Sequence, residues 1–145
     1  MKKLSFLFCL MAITLSSFAA DVNEEVLKVF TRSYPAAQNI TWSSQKTGYL
    51  VYFTTKEASY RVTYDIEGNV VVAFKYYGEE SLSPVILNKV KKNYPDFKIH
   101  SVIEKSSEDE VEYHIIIQGA KKLITLKSDS IGNFEVESKY DSQND

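Results

Sequence analysis

The chain has 145 residues, 17 basic and 19 acidic side chains, a formal net charge of −2, two histidines and one cysteine. This balance holds no positive excess for a polyanion, and the lysines are scattered among carboxylates with no basic stripe, so nucleic acid is not expected as a partner. Cys9 is the sole cysteine and lies in the N-terminal apolar run, so the remainder can form no disulfide or thiolate metal site and has no cysteine nucleophile.

That run is the first element. Lys2 and Lys3 precede an apolar stretch from Leu4 to Leu15, and Ser17-Phe18-Ala19 places small residues where a signal peptidase reads. Residues 1–19 are therefore expected to be a signal peptide cleaved after Ala19, with Ala20 as the alternative site. A lipid anchor on Cys9 is disfavoured, because bulky Phe8 precedes it in mid-run. Cleavage removes Lys2 and Lys3 and no acid, so 17 basic against 19 acidic residues becomes 15 against 19, a net charge of −4. No later run is long and apolar enough to cross a bilayer, so no membrane insertion is expected after cleavage and the localisation is periplasmic or secreted.

Asp21-Val22-Asn23-Glu24 has the spacing of a helix start with capping side chains. Val22, Val26, Val29, Phe30 and Ser33 then recur three or four apart, which predicts an amphipathic helix. Pro35 disfavours helical geometry at Tyr34 and should end it. Period-two alternation follows and predicts half-buried antiparallel strands, with Ile40 and Trp42, then Tyr49, Val51 and Phe53, then Tyr60, Val62 and Tyr64, then Val70, Val72, Phe74 and Tyr76 facing inward. Ser83-Pro84 predicts a second helix start, Ile86, Leu87, Val90 and Tyr94 its apolar stripe, and Pro95 its end. The strands after it are expected to turn Val111, Tyr113, Ile115, Ile117, Ile124, Leu126, Phe134, Val136 and Tyr140 inward. In the first of them either Ile99 or Val102 could take that role.

Two details suggest duplication. Tyr-Pro closes both helices, at Tyr34-Pro35 and Tyr94-Pro95, and Asp65-x-x-Gly68-Asn69 returns as Asp129-x-x-Gly132-Asn133. Gly permits positive φ and Asp or Asn can bond nearby backbone, so the second motif predicts a tight turn. The expected fold is α+β, a tandem repeat of one helix packed on a four-stranded antiparallel sheet, with repeats at residues 20–80 and 81–145 and an open sheet face opposite the helices.

The pattern of Tyr-Pro after a helix, Ile40-x-Trp42, and Tyr60-x-Val62-x-Tyr64-Asp65-x-x-Gly68-Asn69 resembles the exported PepSY-like family, also described as beta-lactamase-inhibitor-like. The second half keeps the helix, Tyr94-Pro95 and the Asp129 turn but lacks the tryptophan. The resemblance implies a periplasmic or secreted protein of Bacteroidetes type, built from helices on antiparallel sheet. It also implies kinship in fold with protein inhibitors that grip an enzyme with an open sheet face. It assigns no inhibitory residue.

The predicted alternation turns Thr41, Leu50, Tyr52, Thr54, Arg61, Thr63, Val71, Ala73, Lys75 and Tyr77 outward. Small and aromatic residues with an Arg and a Lys have the makeup of a protein-recognition patch, and Tyr52, Arg61, Lys75 and Tyr77 are its candidate partner-binding residues. Burial of that face against the other repeat or a second molecule is the competing reading. The other functional alternative is a small-ligand carrier with a pocket between helix and sheet or between repeats. His100 and His114 have no metal-competent neighbour at the usual spacing, and Glu135 and Glu137 read as exposed solubilising residues. No catalytic residue, metal or cofactor is expected.

Overall fold

A computed structural model describes residues 21–141. The predicted leader and the expected cleavage after Ala19 lie outside the described residues. Helix α1 (Glu24–Ser33) is followed by β1 (Gln38–Gln45), β2 (Gly48–Thr54), β3 (Ser59–Asp65) and β4 (Val70–Tyr77). A short 3₁₀ turn (Glu79–Ser81) leads to α2 (Pro84–Asn93), then β5 (Lys98–Ser106), β6 (Val111–Gln118), β7 (Lys122–Ser128) and β8 (Phe134–Asp141).

The local signals act where they stand. Asn23, two residues later than Asp21, caps α1: its side-chain oxygen accepts the Glu25 N–H at 2.8 Å. Both helices end as their Tyr-Pro pairs dictate, with Tyr34 N–H donating to the Phe30 carbonyl and Tyr94 N–H to that of Val90, each at 2.9 Å. The two Asp-x-x-Gly-Asn turns make the same bonds. Each Asp accepts the N–H of the following Asn at 2.8 Å through one carboxylate oxygen and its side-chain amide at 2.8 Å through the other. Gly68 and Gly132 supply φ of 93° and 79°.

The architecture corrects the expected fold class. All eight strands form one antiparallel sheet in the order β1 to β8. Strands β4 and β5 pair continuously from Ala73 opposite Ser106 to Tyr77 opposite Val102, so two separate four-stranded sheets, each under its own helix, do not exist. The physical reason is that each smaller sheet would leave a long edge of unpaired N–H and C=O groups at β4 or β5, and pairing those edges satisfies both.

Both helices lie on one face. Val26 and Phe30 of α1 pack with Val51, Phe53, Val62 and Tyr64, and Ile86 and Val90 of α2 pack with Val102, Ile115, Ile117 and Leu126. Beneath α1 the aromatic rings interlock: Phe30 meets Trp42 and Phe53 edge-on with centroids 5.1 Å apart, and Phe53 stacks on Tyr60 at 4.7 Å. Such pairs each contribute roughly 0.5–1.5 kcal/mol beyond the area they bury.

Four irregularities, each one extra residue in a strand, reset the alternation. In β1 the shift falls between Gln38 and Thr41, where Asn39 has φ 52°, and Ile40 remains exposed while Trp42 packs in the core. In β5 the extra residue is His100, so Ile99 and Val102 both face the helices, opposite Ile117 and Ile115. In β4 it is Val71, and in β8 it is Glu137. A bulge of this kind exchanges the two faces for everything beyond it. Val72, Phe74 and Tyr76, expected inward, therefore stand on the open face, as does Tyr140, which is 64% exposed.

Candidate functional site

The face opposite the helices is assembled from alternate residues of all eight strands. Across its middle run Tyr52, Arg61, Phe74, Lys105 and Glu112, each directly opposite the next in the pairing register. Tyr52 is 46% exposed. The Arg61 guanidinium lies 4.3 Å from the centre of the Phe74 ring, an attraction between cation and ring quadrupole that also holds the long side chain flat on the sheet. Leu50, Val72, Tyr76, Ile103 and Ile116 are half-buried around this row. The result is an aromatic and aliphatic surface with one fixed cation at its centre.

The other end of the face is ionic. Glu112 is buried although it lies on the open side, because lysines close over it: Lys127 binds one carboxylate oxygen and Lys105 the other, the latter at 3.0 Å. The Lys127 contact first and the Lys105 contact second hold the Glu112 carboxyl down at about 2. His114, on the same face, contacts Glu137 through Nδ1 at 2.9 Å. Glu137 is exposed, as the sequence suggested, and in addition meets His114.

A pH dependence follows. The folded carboxyl titrates near 2 and the free one near 4.5, so the cluster's contribution is complete above pH 4.5 and is lost as pH falls towards 2. Glu112→Gln is expected to lower the urea midpoint at pH 7 and to flatten its fall between those pH values. A variant whose midpoint still falls as steeply as the wild type's would mean that other carboxylates carry the acid sensitivity.

Of the four candidate binding residues, the structure brings Tyr52 and Arg61 together on the open face as neighbours in register. Lys75 and Tyr77 were expected beside them and are not there. The Val71 bulge turns both to the helix side. Tyr77 is 7% exposed, packs in the α2 core and donates its hydroxyl to Glu104 Oε2 at 2.9 Å, while Lys75 Nζ lies 4.8 Å from its ring centre. Burial first, and Glu104 second, push the Tyr77 phenol well above its ordinary range. Tyr77 belongs to the core beneath α2 and not to the open face. Phe74 and Tyr76 occupy the positions it was expected to share, and only the bulge distinguishes the two arrangements. The ionic cluster was more accessible, since Glu112 and His114 alternate along β6 and Lys105 lies across the hairpin.

Among the described residues no three His, Cys, Asp or Glu side chains converge in a way that could hold a metal ion. No helix among them is long and apolar enough to cross a membrane.

No protein-family model and no curated protein matches the sequence. Solved structures do. The chain is similar to a BLIP-like protein from Bacteroides fragilis, with a TM-score of 0.63 and 16% identity over 87% of this chain and 91% of that one. It is also similar to a DUF2874 family protein from Bacteroides ovatus, with a TM-score of 0.61 and 16% identity over 84% and 89% of the two chains. A third, from Bacteroides eggerthii and provisionally described as periplasmic, has a TM-score of 0.61 and 16% identity over 84% and 90%. The fold is BLIP-like. At these identities the likeness concerns the fold alone.

Proposed function

We propose that the protein is a non-catalytic exported binding module that engages a protein partner through the open face of its sheet. The observation that carries this reading is the row Tyr52, Arg61 and Phe74, an aromatic and cationic surface on the side away from both helices. Tyrosine and arginine are the residue types most often found as binding anchors. Arg61 is held in place before any partner arrives, which reduces the ordering cost of association. A periplasmic or secreted location accords with the expected leader and with the eggerthii structure's description. The turn and core motifs that resemble PepSY-like proteins support that finer affiliation. On the side of the sheet under α1, interlocked rings fill the space that a carried ligand would need, so the carrier reading has less support.

The test is capture from an envelope extract by wild type, by Tyr52→Ala combined with Arg61→Ala, and by Val85→Lys on the exposed side of α2. The open-face pair is expected to lose the captured protein with a nearly unchanged denaturation midpoint, while Val85→Lys retains it. Equal capture by the open-face pair and wild type would remove the reading.

A further inference from the structure

Among the described residues the sheet ends in two edge strands, β1 and β8, and they are not alike. Strand β8 carries Glu135, Glu137, Lys139 and Asp141 and is bulged at Glu137, the devices by which proteins prevent a sheet edge from recruiting another strand. Strand β1, Gln-Asn-Ile-Thr-Trp-Ser-Ser-Gln, has neither charge nor proline. All of its residues except half-buried Trp42 are exposed, and from Thr41 to Gln45 it runs in unbroken register with β2. Antiparallel alternation turns the N–H and C=O of every second residue there to the open side.

Ile40 of this edge and Leu27 of α1 are exposed apolar residues. A Cβ added at Gly68 would lie 3.5 Å from Val29, so Val29 marks the flank of α1 that faces the β3–β4 turn. Leu27 stands about 200° around the helix from Val29, on the opposite flank. Leu27 is 37% and Ile40 45% exposed.

We propose that β1 is a homodimerisation edge, pairing antiparallel with β1 of a second copy about a two-fold axis through Ser43. That register sets Trp42 opposite Ser44 and Thr41 opposite Gln45 of the second copy. Each large side chain then meets a small one, and no charge opposes a like charge. A two-fold axis perpendicular to the sheet leaves both α1 helices on one side. The chain already joins helix-bearing strands edge to edge in this way at β4 and β5. Pairing β1 with β8 would instead set an uncharged strand, itself bulged at Asn39 and regular only from Thr41 to Gln45, against a strand charged along its length, and would propagate into filaments. The second copy is favoured for that reason. This inference is independent of what binds the open face.

The experiment is sedimentation equilibrium of protein expressed with its own leader, at concentrations from about 1 to 500 µM, where mass action exposes a weak dimer. The weight-average mass of wild type is expected to rise towards that of a dimer. Ser43→Lys and Ser43→Glu each place two like charges at the axis and should weaken association at least about tenfold. Ser43 is exposed, so circular dichroism and the denaturation midpoint of each variant should match wild type. An equimolar mixture of the two variants should recover the dimer. Wild type that stays monomeric throughout, or dimerisation unaffected by either substitution, overturns the proposal.

Discussion

Tyr77→Ala is expected to cost about 3–5 kcal/mol of unfolding free energy, the range for removing a large buried aromatic ring, whereas Tyr52→Ala should cost less than about 1 kcal/mol, as for an exposed cross-strand residue. The two tyrosines would be equivalent if alternation ran unbroken from β2 to β4. The Val71 bulge makes them opposites: Tyr77 sits 7% exposed within the α2 core, and Tyr52 stands 46% exposed on the open face. Urea denaturation of both variants reads the difference directly. Tyr77→Phe separates ring from hydroxyl. It keeps the packing and removes only the donor to Glu104, and should cost about 1.5–3 kcal/mol, as for one hydrogen bond to a charged acceptor. Comparable losses for Tyr77→Ala and Tyr52→Ala would mean that β4 is not bulged at Val71.

Gly48→Ala is expected to destabilise by about 3 kcal/mol, at the upper end of overpacking costs, because the neighbour is backbone and cannot swing aside. Gly48 opens β2 opposite Asp65, and an added Cβ would overlap the carbonyl oxygen of Tyr64. Relief would require β2 and β3 to separate where Tyr49 pairs with Tyr64, a fully buried residue of the α1 core. Gly78 is the control. An added Cβ there would meet only the carboxylate end of exposed Glu80, which can rotate away, so Gly78→Ala should fall within about 0.5 kcal/mol of wild type, as surface substitutions usually do. If Gly48→Ala proves as mild as Gly78→Ala, the close approach of β2 to Tyr64 is wrong.

The open face was legible in part. Tyr52 and Arg61 were placed correctly because β2 and β3 pair residue for residue from Gly48 to Thr54 with no extra residue, so alternation alone sets their side. Lys75 and Tyr77 were misplaced because Val70, Val72, Phe74 and Tyr76 form an unbroken apolar alternation, whereas the competing phase carries Lys75. The structure follows the first phase only at Val70 and the second from Ala73 onward, and the one-residue bulge at Val71 leaves no mark in composition. Likewise Ile99 and Val102 are competing inward candidates in sequence and joint ones in the structure, with His100 looping out between them. The same ambiguity hid Phe74 as the ring beneath Arg61.

By itself the sequence determined where the helices stop, at Tyr34-Pro35 and Tyr94-Pro95, and where the tightest turns fall, at Asp65–Asn69 and Asp129–Asn133. Those features depend on steric restriction and hydrogen bonds within a few residues. The tertiary structure alone decided that β4 pairs with β5 and that one eight-stranded sheet replaces two smaller ones. It also decided which side of β4 faces the helices. Pairing between strands is a contract among backbone groups distant in the chain, indifferent to side-chain identity, so no local pattern of residues records it.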